Sequence, residues 1–515
     1  DVIQLQTESI HNITTGLSGL PAQGLPTISS DISIEGNGAT FNVAAAPVDR
    51  VVDVVGSGDL TLSDATISGD AGSGTASNAP RIHNAGNLQL SNVSLPLLSN
   101  RVAGITNLGT LTADKLRVQG LGRYNVDYDF QNGNGILNEG NMTLANSEVT
   151  DHAIYFAAVD YGSVVNRGNM RLEHSSITGN SNDRGGSATA GIDNFGVLYG
   201  AALNISENYV WYTGGWSAGI INQSAATLTL TDSQLERNFG GYRGYGGLHN
   251  SGLADLKRVN IDRNTGLLNA SYLRMVDSSV SHGGAGVYNF GDMILDSVTI
   301  ANNFYRFHAG LFNSGDITIT NSTISNNYSF GYFYNPRNTF SGVKNYSGSM
   351  TISSSTIAAN SVPFIYAEYG NLGLFNKAGA TLAISQTVVT GQFLQNTTTS
   401  TGRVLTNEGT VLESDYNLFG DSSLTSGDAF VGFTPGPTDV VATSDGNQPT
   451  ALQAILELKM ITPGRFSADL KDNGGPTETV ALVPGSPAID AADNAACPST
   501  DQRGVSRPLG PACDI

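Results

Sequence analysis

Apolar and polar residues alternate along most of the chain, in short packets. "DITITNSTI", Asp316 to Ile324, is one packet, with Thr and Ser set between its isoleucines. A period of two predicts strands rather than helices. Each packet follows one frame: an apolar residue, any residue, Asn, and commonly a Gly two residues later. "VYNFGDMILDSVTI" begins at Val287 and "LFNSGDITITNSTI" at Leu311. The Asn position is filled by Asn84, Asn107, Asn138, Asn166, Asn194, Asn222 and Asn250. It is filled again by Asn269, Asn289, Asn313, Asn345, Asn376 and Asn407. "VVDVVGSGDLTLSDATI", from Val51, reads as the same frame with Asp53 in the Asn position.

Spacing within this row varies between 19 residues (Asn250 to Asn269) and 32 (Asn313 to Asn345). A constant frame at variable spacing predicts one structural unit with insertions at one loop. Each unit predicts about three short strands. Stacked copy on copy, they give an all-β, right-handed parallel β-helix of about fifteen coils, each strand about 4.8 Å from its copy. The Asn and Gly are expected in tight turns, where both tolerate positive φ. The Asn row predicts a ladder, each side-chain amide bonding the next. Plain turn preference and a row of ligands are the other two readings. Residues 1–420 are assigned to the helix, with "PTISSDISIEGNGATFNV" at 26–43 as a first coil. Residues 421–515 are assigned to the last coils and a C-terminal cap, with a short helix at 450–460.

Composition narrows the partners. The 515 residues carry a net charge of −19, which argues against nucleic acid and anionic membranes and permits cation binding. No apolar run reaches the length of a membrane span. The start, "DVIQLQTESI", has neither the basic nor the apolar region of a signal peptide, and a removed leader is the expectation. Cys497 and Cys513 are the two cysteines. They read as one disulfide in an oxidising compartment, or as two buried thiols.

The final segment carries a family resemblance. It holds "NGGPT" at Asn473–Thr477, "PGSPAID" at Pro484–Asp490 and "TDQRGVSRP" at Thr500–Pro508, then Cys513, Asp514 and Ile515. This order resembles the closing motif of secreted bacterial β-helix repeat proteins of the choice-of-anchor or polymorphic outer-membrane-like kind. The resemblance implies an exported protein, surface-attached or released, and does not imply catalysis. In that group the chain continues past Cys-Asp-Ile into a linker and a sorting segment.

Catalysis on a β-helix needs specific clusters. Glycoside hydrolysis needs paired carboxylates, and lyase chemistry an Arg or Lys base, commonly with calcium. No Asp-Asp pair occurs, and His11, His83, His152, His174, His249, His282 and His308 are scattered. No catalytic residue and no metal ligand is therefore assigned. "DYDFQNGNG" at 127–135 reads either as a weak calcium loop or as a Gly-rich connection. Aromatics cluster in the variable loops and give the strongest functional signal. Tyr209, Trp211, Tyr212 and Trp216 form one group, Phe304 and Tyr305 another, and Tyr332, Phe333 and Tyr334 a third. They read as a subunit contact, a sugar platform or local packing. The expectation is an extracellular or cell-surface structural or adhesive protein that self-associates into a fibre or layer. The alternative is a polysaccharide-active enzyme or carbohydrate-binding β-helix.

Overall fold

Alternation becomes burial in a direct way. In Asn141–Ala145, Met142 and Leu144 are buried and Asn141 is exposed. Met142 lies in register with Leu111 on one side and Met170 on the other, and Leu144 with Ala113 and Leu172. Each such Leu or Met contributes about 1.5–3 kcal/mol when fully buried. A slip of one residue would turn every one of them outward, so the register is strongly fixed.

The structure, a computed structural model, describes residues 1–14, 23–43, 50–69, 80–98, 104–120, 134–154, 162–182, 189–210, 217–241, 244–330, 340–363, 371–395, 402–462 and 465–515. It comprises two units, Asp1–Ala254 and Asp255–Ile515. Both are parallel β-solenoids with almost no helix, and the turns number about twelve. The expected fifteen is slightly high. Early turns fuse their strands, as in Asp31–Val43, Asp59–Ser68 and Asn87–Leu98, and the repeat decays after Phe419. In the first unit, Val2–Gln4 and Ile10–Ile13 pair with Asp31–Val43, so strands precede the expected first coil.

A later turn has three main strands, a three-residue strand ending in Asn, a five-residue strand and a second three-residue strand, with a brief fourth after them in some turns. Ile136–Asn138, Asn141–Ala145 and Glu148–Thr150 are one set in the first unit. Leu311–Asn313, Asp316–Thr320 and Thr323–Ser325 are one in the second. The bends after the second and third strands use positive φ, mostly at residues other than Gly. Asn146, His174, Ala202 and Asp232 mark the first bend, and Glu207, Arg237, Asn302 and Asn326 the second. The ladder Asn residues have no positive φ, which corrects the tight-turn expectation. Gly140 is required instead by close approach: a Cβ there would meet the Gly109 carbonyl oxygen at 2.1 Å. A small hydroxyl follows the first bend. Ser147 Oγ donates to the Ala145 carbonyl at 2.7 Å and accepts from Leu116 N–H at 3.1 Å, joining two turns.

The end of the second unit folds back on its own turns. The segment expected as a helix at 450–460 is a 3-10 turn at Leu452–Ala454 followed by strand Leu458–Thr462, paired antiparallel with Arg465–Ala468. Leu452, Ile455 and Leu456 are needed in the core and Lys459 and Met460 on the strand, so one helical face cannot serve both. Ile455, Ala468, Ala488, Cys513 and Ile515 pack with Ala358, Val388 and Leu418 of the solenoid. Gln502 Nε2 donates to Thr299 and Thr477 hydroxyls, each at 2.9 Å, and its Oε1 accepts from Thr323 at 2.7 Å. Asn326 and Ala468 exchange two bonds, at 3.0 and 3.1 Å. The closing motif is thus a strap fastened across several turns, and Cys497–Cys513 is a disulfide within it.

Candidate functional site

The Asn strand sets the geometry of the best-formed surface. Its first and third residues face inward and its middle residue outward, by period two. Inward, the amides form a ladder in each unit. Asn84, Asn107, Asn138, Asn166, Asn194, Asn222 and Asn250 are joined by Nδ2-to-Oδ1 bonds of 2.7–2.8 Å. Asn269, Asn289, Asn313, Asn345, Asn376 and Asn407 are joined at 2.8–2.9 Å. Asp53 is not part of it. Val54 is in register with Asn84, and Asp53 sits beside His83 on the outward face. "VVDVVG" alternates in either phase, and Val54 is the residue that suits the interior.

A second ladder lies outside the sequence expectation. Asn180, Asn208 and Asn238 are joined at 2.9 Å in the first unit, and Asn303, Asn327 and Asn360 at 3.0 Å in the second. Each Nδ2 also reaches a carbonyl one turn back, as from Asn208 to Ile177 at 2.9 Å. Its signal is present in the sequence: an Asn three residues after the apolar centre of the short strand, as from Ile177 to Asn180 and from Ile324 to Asn327.

Beyond this second ladder each unit forms brief strands that carry aromatic rings, an aromatic flank in each unit. Tyr209 is in register with Phe239, and Phe304 with Tyr328. Tyr209 and Phe239 stack at 4.8 Å, and Phe304 stacks on Tyr328 at 5.2 Å and on Phe330 at 4.9 Å. Phe304 is 56% exposed. Tyr305 meets Phe307 edge-on at 6.4 Å. Trp211, Tyr212, Trp216, Tyr332, Phe333 and Tyr334 lie outside the described residues, as does most of the 127–135 loop.

On the outward face of the Asn strand, the second unit stacks Tyr288, Phe312, Lys344 and Phe375 in register. The Lys344 ammonium lies 3.8 Å from the Phe340 ring centre, 5.4 Å from Tyr346, 5.8 Å from Phe375 and 6.0 Å from Phe312. Burial, aided by Lys377 and opposed by Glu408, brings its pKa down to about 8. Lys377 lies 3.5 Å over the Tyr346 ring. His308 stacks on Phe312 at 4.9 Å, and burial lowers its pKa to about 3.

The remaining titratable groups form small structural clusters. Asp53 accepts from Gln23 at 2.8 Å and Arg50 at 3.2 Å and contacts His83 at 2.7 Å. Asp262 does the same with Ser281, His282 and Arg263 at 2.8–3.0 Å. Burial lowers His152 and His249 to about 4. Among the described residues no group of three His, Cys, Asp or Glu side chains could hold a metal ion. None of their helices is long and apolar enough to cross a membrane.

These stacked turns and paired ladders define the class: the chain is a parallel β-solenoid repeat protein. No protein-family model matches it. No curated protein matches it. Among solved structures it is similar to a mannuronic acid-specific polysaccharide family 6 lyase from human gut microbiota, at 13% identity over 81% of this chain and 87% of that one, with a TM-score of 0.34.

Proposed function

We propose that this solenoid is an extracellular, non-catalytic structural or adhesive protein that associates with further copies of itself through the aromatic flanks of its units. The carrying observation is the half-exposed Phe304 stacked with Tyr328 and Phe330 of the next turn. Exposed rings held in register favour a partner surface. Burying each contributes about 1.5–3 kcal/mol, so a few suffice for a contact. A repeated contact that does not close produces a filament or layer. The disulfide fits an oxidising compartment, and the strap motif resembles that of choice-of-anchor and outer-membrane-like proteins. Light scattering and negative-stain imaging test the proposal, with a Tyr209→Ser, Phe239→Ser, Phe304→Ser variant beside the wild type. Concentration-dependent assembly of the wild type, lost in the variant, is expected. A wild type that stays monomeric at high concentration refutes it. The polysaccharide reading is favoured by a different observation, the lysines among the rings around Lys344.

A further inference from the structure

Lys344 is 4% exposed, yet among the described residues it has neither a hydrogen bond nor an ion pair. Burying a cation without an anion in contact is costly, and aromatic faces and the more distant Glu408 offset only part of that cost. The depressed pKa is the same penalty seen from the proton's side. Lys377, on the following turn, also rests on a ring rather than a carboxylate. Two cations held this way, in a chain of net charge −19, form a local site of opposite sign. Phe290 and Tyr346, each one residue after a ladder Asn, flank the column at 48% and 40% exposure. They sit two turns apart and meet Phe312 between them, at 5.8 and 5.6 Å.

We infer that this face of the second unit binds an acidic polysaccharide, its carboxylate or sulfate groups on Lys344 and Lys377 and its sugar rings on Phe290 and Tyr346. Charge complementarity selects an anion. The exposed rings select a ligand with flat C–H faces, which a sugar has and a free phosphate lacks. The spacing selects a chain: successive turns advance about 4.8 Å, close to the advance of one sugar in an extended polymer. Phe290 and Tyr346 then contact alternate sugars, with a lysine near the acidic group of a neighbouring one. An anion in contact with Lys344 supplies the close partner that Glu408, acting only through space, does not, so binding relieves an existing cost.

This site is on a different strand row from the aromatic flank and does not depend on self-association. Calorimetric titration of the full chain tests it with three probes of equal length: an oligogalacturonate, a chondroitin sulfate fragment and a neutral cello-oligosaccharide. At least one acidic probe should bind, the neutral one should not, and affinity should fall with added salt. Lys377→Ala and Lys344→Met should each weaken binding about tenfold. Lys344→Met removes an unpaired buried charge, so its melting temperature should hold or rise, separating lost binding from lost fold. Phe304→Ser should bind as the wild type does, whatever it does to assembly. Equal binding of the neutral probe, unchanged affinity in both lysine variants, or no binding of either acidic probe overturns the inference.

Discussion

Replacing Asn313 with Leu tests whether the amide ladder is an energetic element. Asn313 donates to Asn345 Oδ1 at 2.9 Å and to the Gly315 carbonyl at 2.7 Å, and accepts from Asn289 at 2.8 Å. Leucine shares the branched outline of asparagine, is larger, and offers no hydrogen-bond partner. Asn289 keeps two carbonyl acceptors, Gly291 at 2.8 Å and Asp316 at 3.1 Å. Asn345 Oδ1 loses its ladder donor inside a fully buried site. An orphaned buried acceptor costs about 1–3 kcal/mol and a lost bond about 1, so the substitution should destabilise by about 3 kcal/mol. Asn407 is the internal control. It ends the ladder, is partly exposed, and its loss leaves Asn376 a bond to Thr410 at 3.2 Å. Asn407→Leu should therefore cost about 1 kcal/mol. Urea unfolding followed by circular dichroism, with hydrogen exchange at the turns around 313 and 407, reads both. Equal costs at the two positions, or Asn313→Leu within about 0.5 kcal/mol of wild type, refute the reasoning.

Two further outcomes follow from geometry already described. Gly140→Ala places a Cβ 2.1 Å from the Gly109 carbonyl oxygen and should destabilise by at least about 1–3 kcal/mol, whereas Gly427→Ala, whose Cβ meets nothing nearer than 3.7 Å, should be close to neutral; thermal melts of the two variants decide. The buried His152, His249 and His308 have folded pKa values of about 4, 4 and 3, below the ordinary 6.5. The unfolded chain therefore binds more protons between those values and 6.5. Stability should be fully present above pH 6.5 and fall as pH drops toward 4, by about 3 kcal/mol from His152 alone. His152→Gln should flatten that limb of the stability-against-pH curve, and an unchanged slope would show that His152 is not its source.

Legibility in the sequence followed column membership. The first amide row was readable because Asn recurs beside a conspicuous Gly, and the inward columns because Ile, Leu and Met recur at period two. Asn208 and Asn327 were not read, since no Gly marks them and their spacing must be counted from the strand before. At Asp53 the sequence is ambiguous, because "VVDVVG" suits two phases and only the neighbouring turn decides. Lys344 was hidden most completely. It fills the one unrestricted position of the frame; Phe340 and Tyr346 are near it in sequence, but Phe312 and Phe375, which complete the column around it, lie about thirty residues away on either side, one turn away in space. An unpaired buried charge is a property of columns, which a linear reading sees one member at a time.

The ladder bonds of the second unit have one further consequence. Asn269 and Asn289 are separated by 20 residues and Asn313 and Asn345 by 32, yet the bonds measure 2.8 and 2.9 Å. Twelve additional residues have entered a turn without stretching the seam that joins it to its neighbour. Insertions of this kind fall between the second amide row and the next Asn strand, outside both seams. The solenoid therefore behaves as a rack with interchangeable inserts: what one turn displays can be lengthened, shortened or exchanged while the frame keeps its pitch. A lineage carrying such a frame can change what it touches quickly and what holds it together hardly at all.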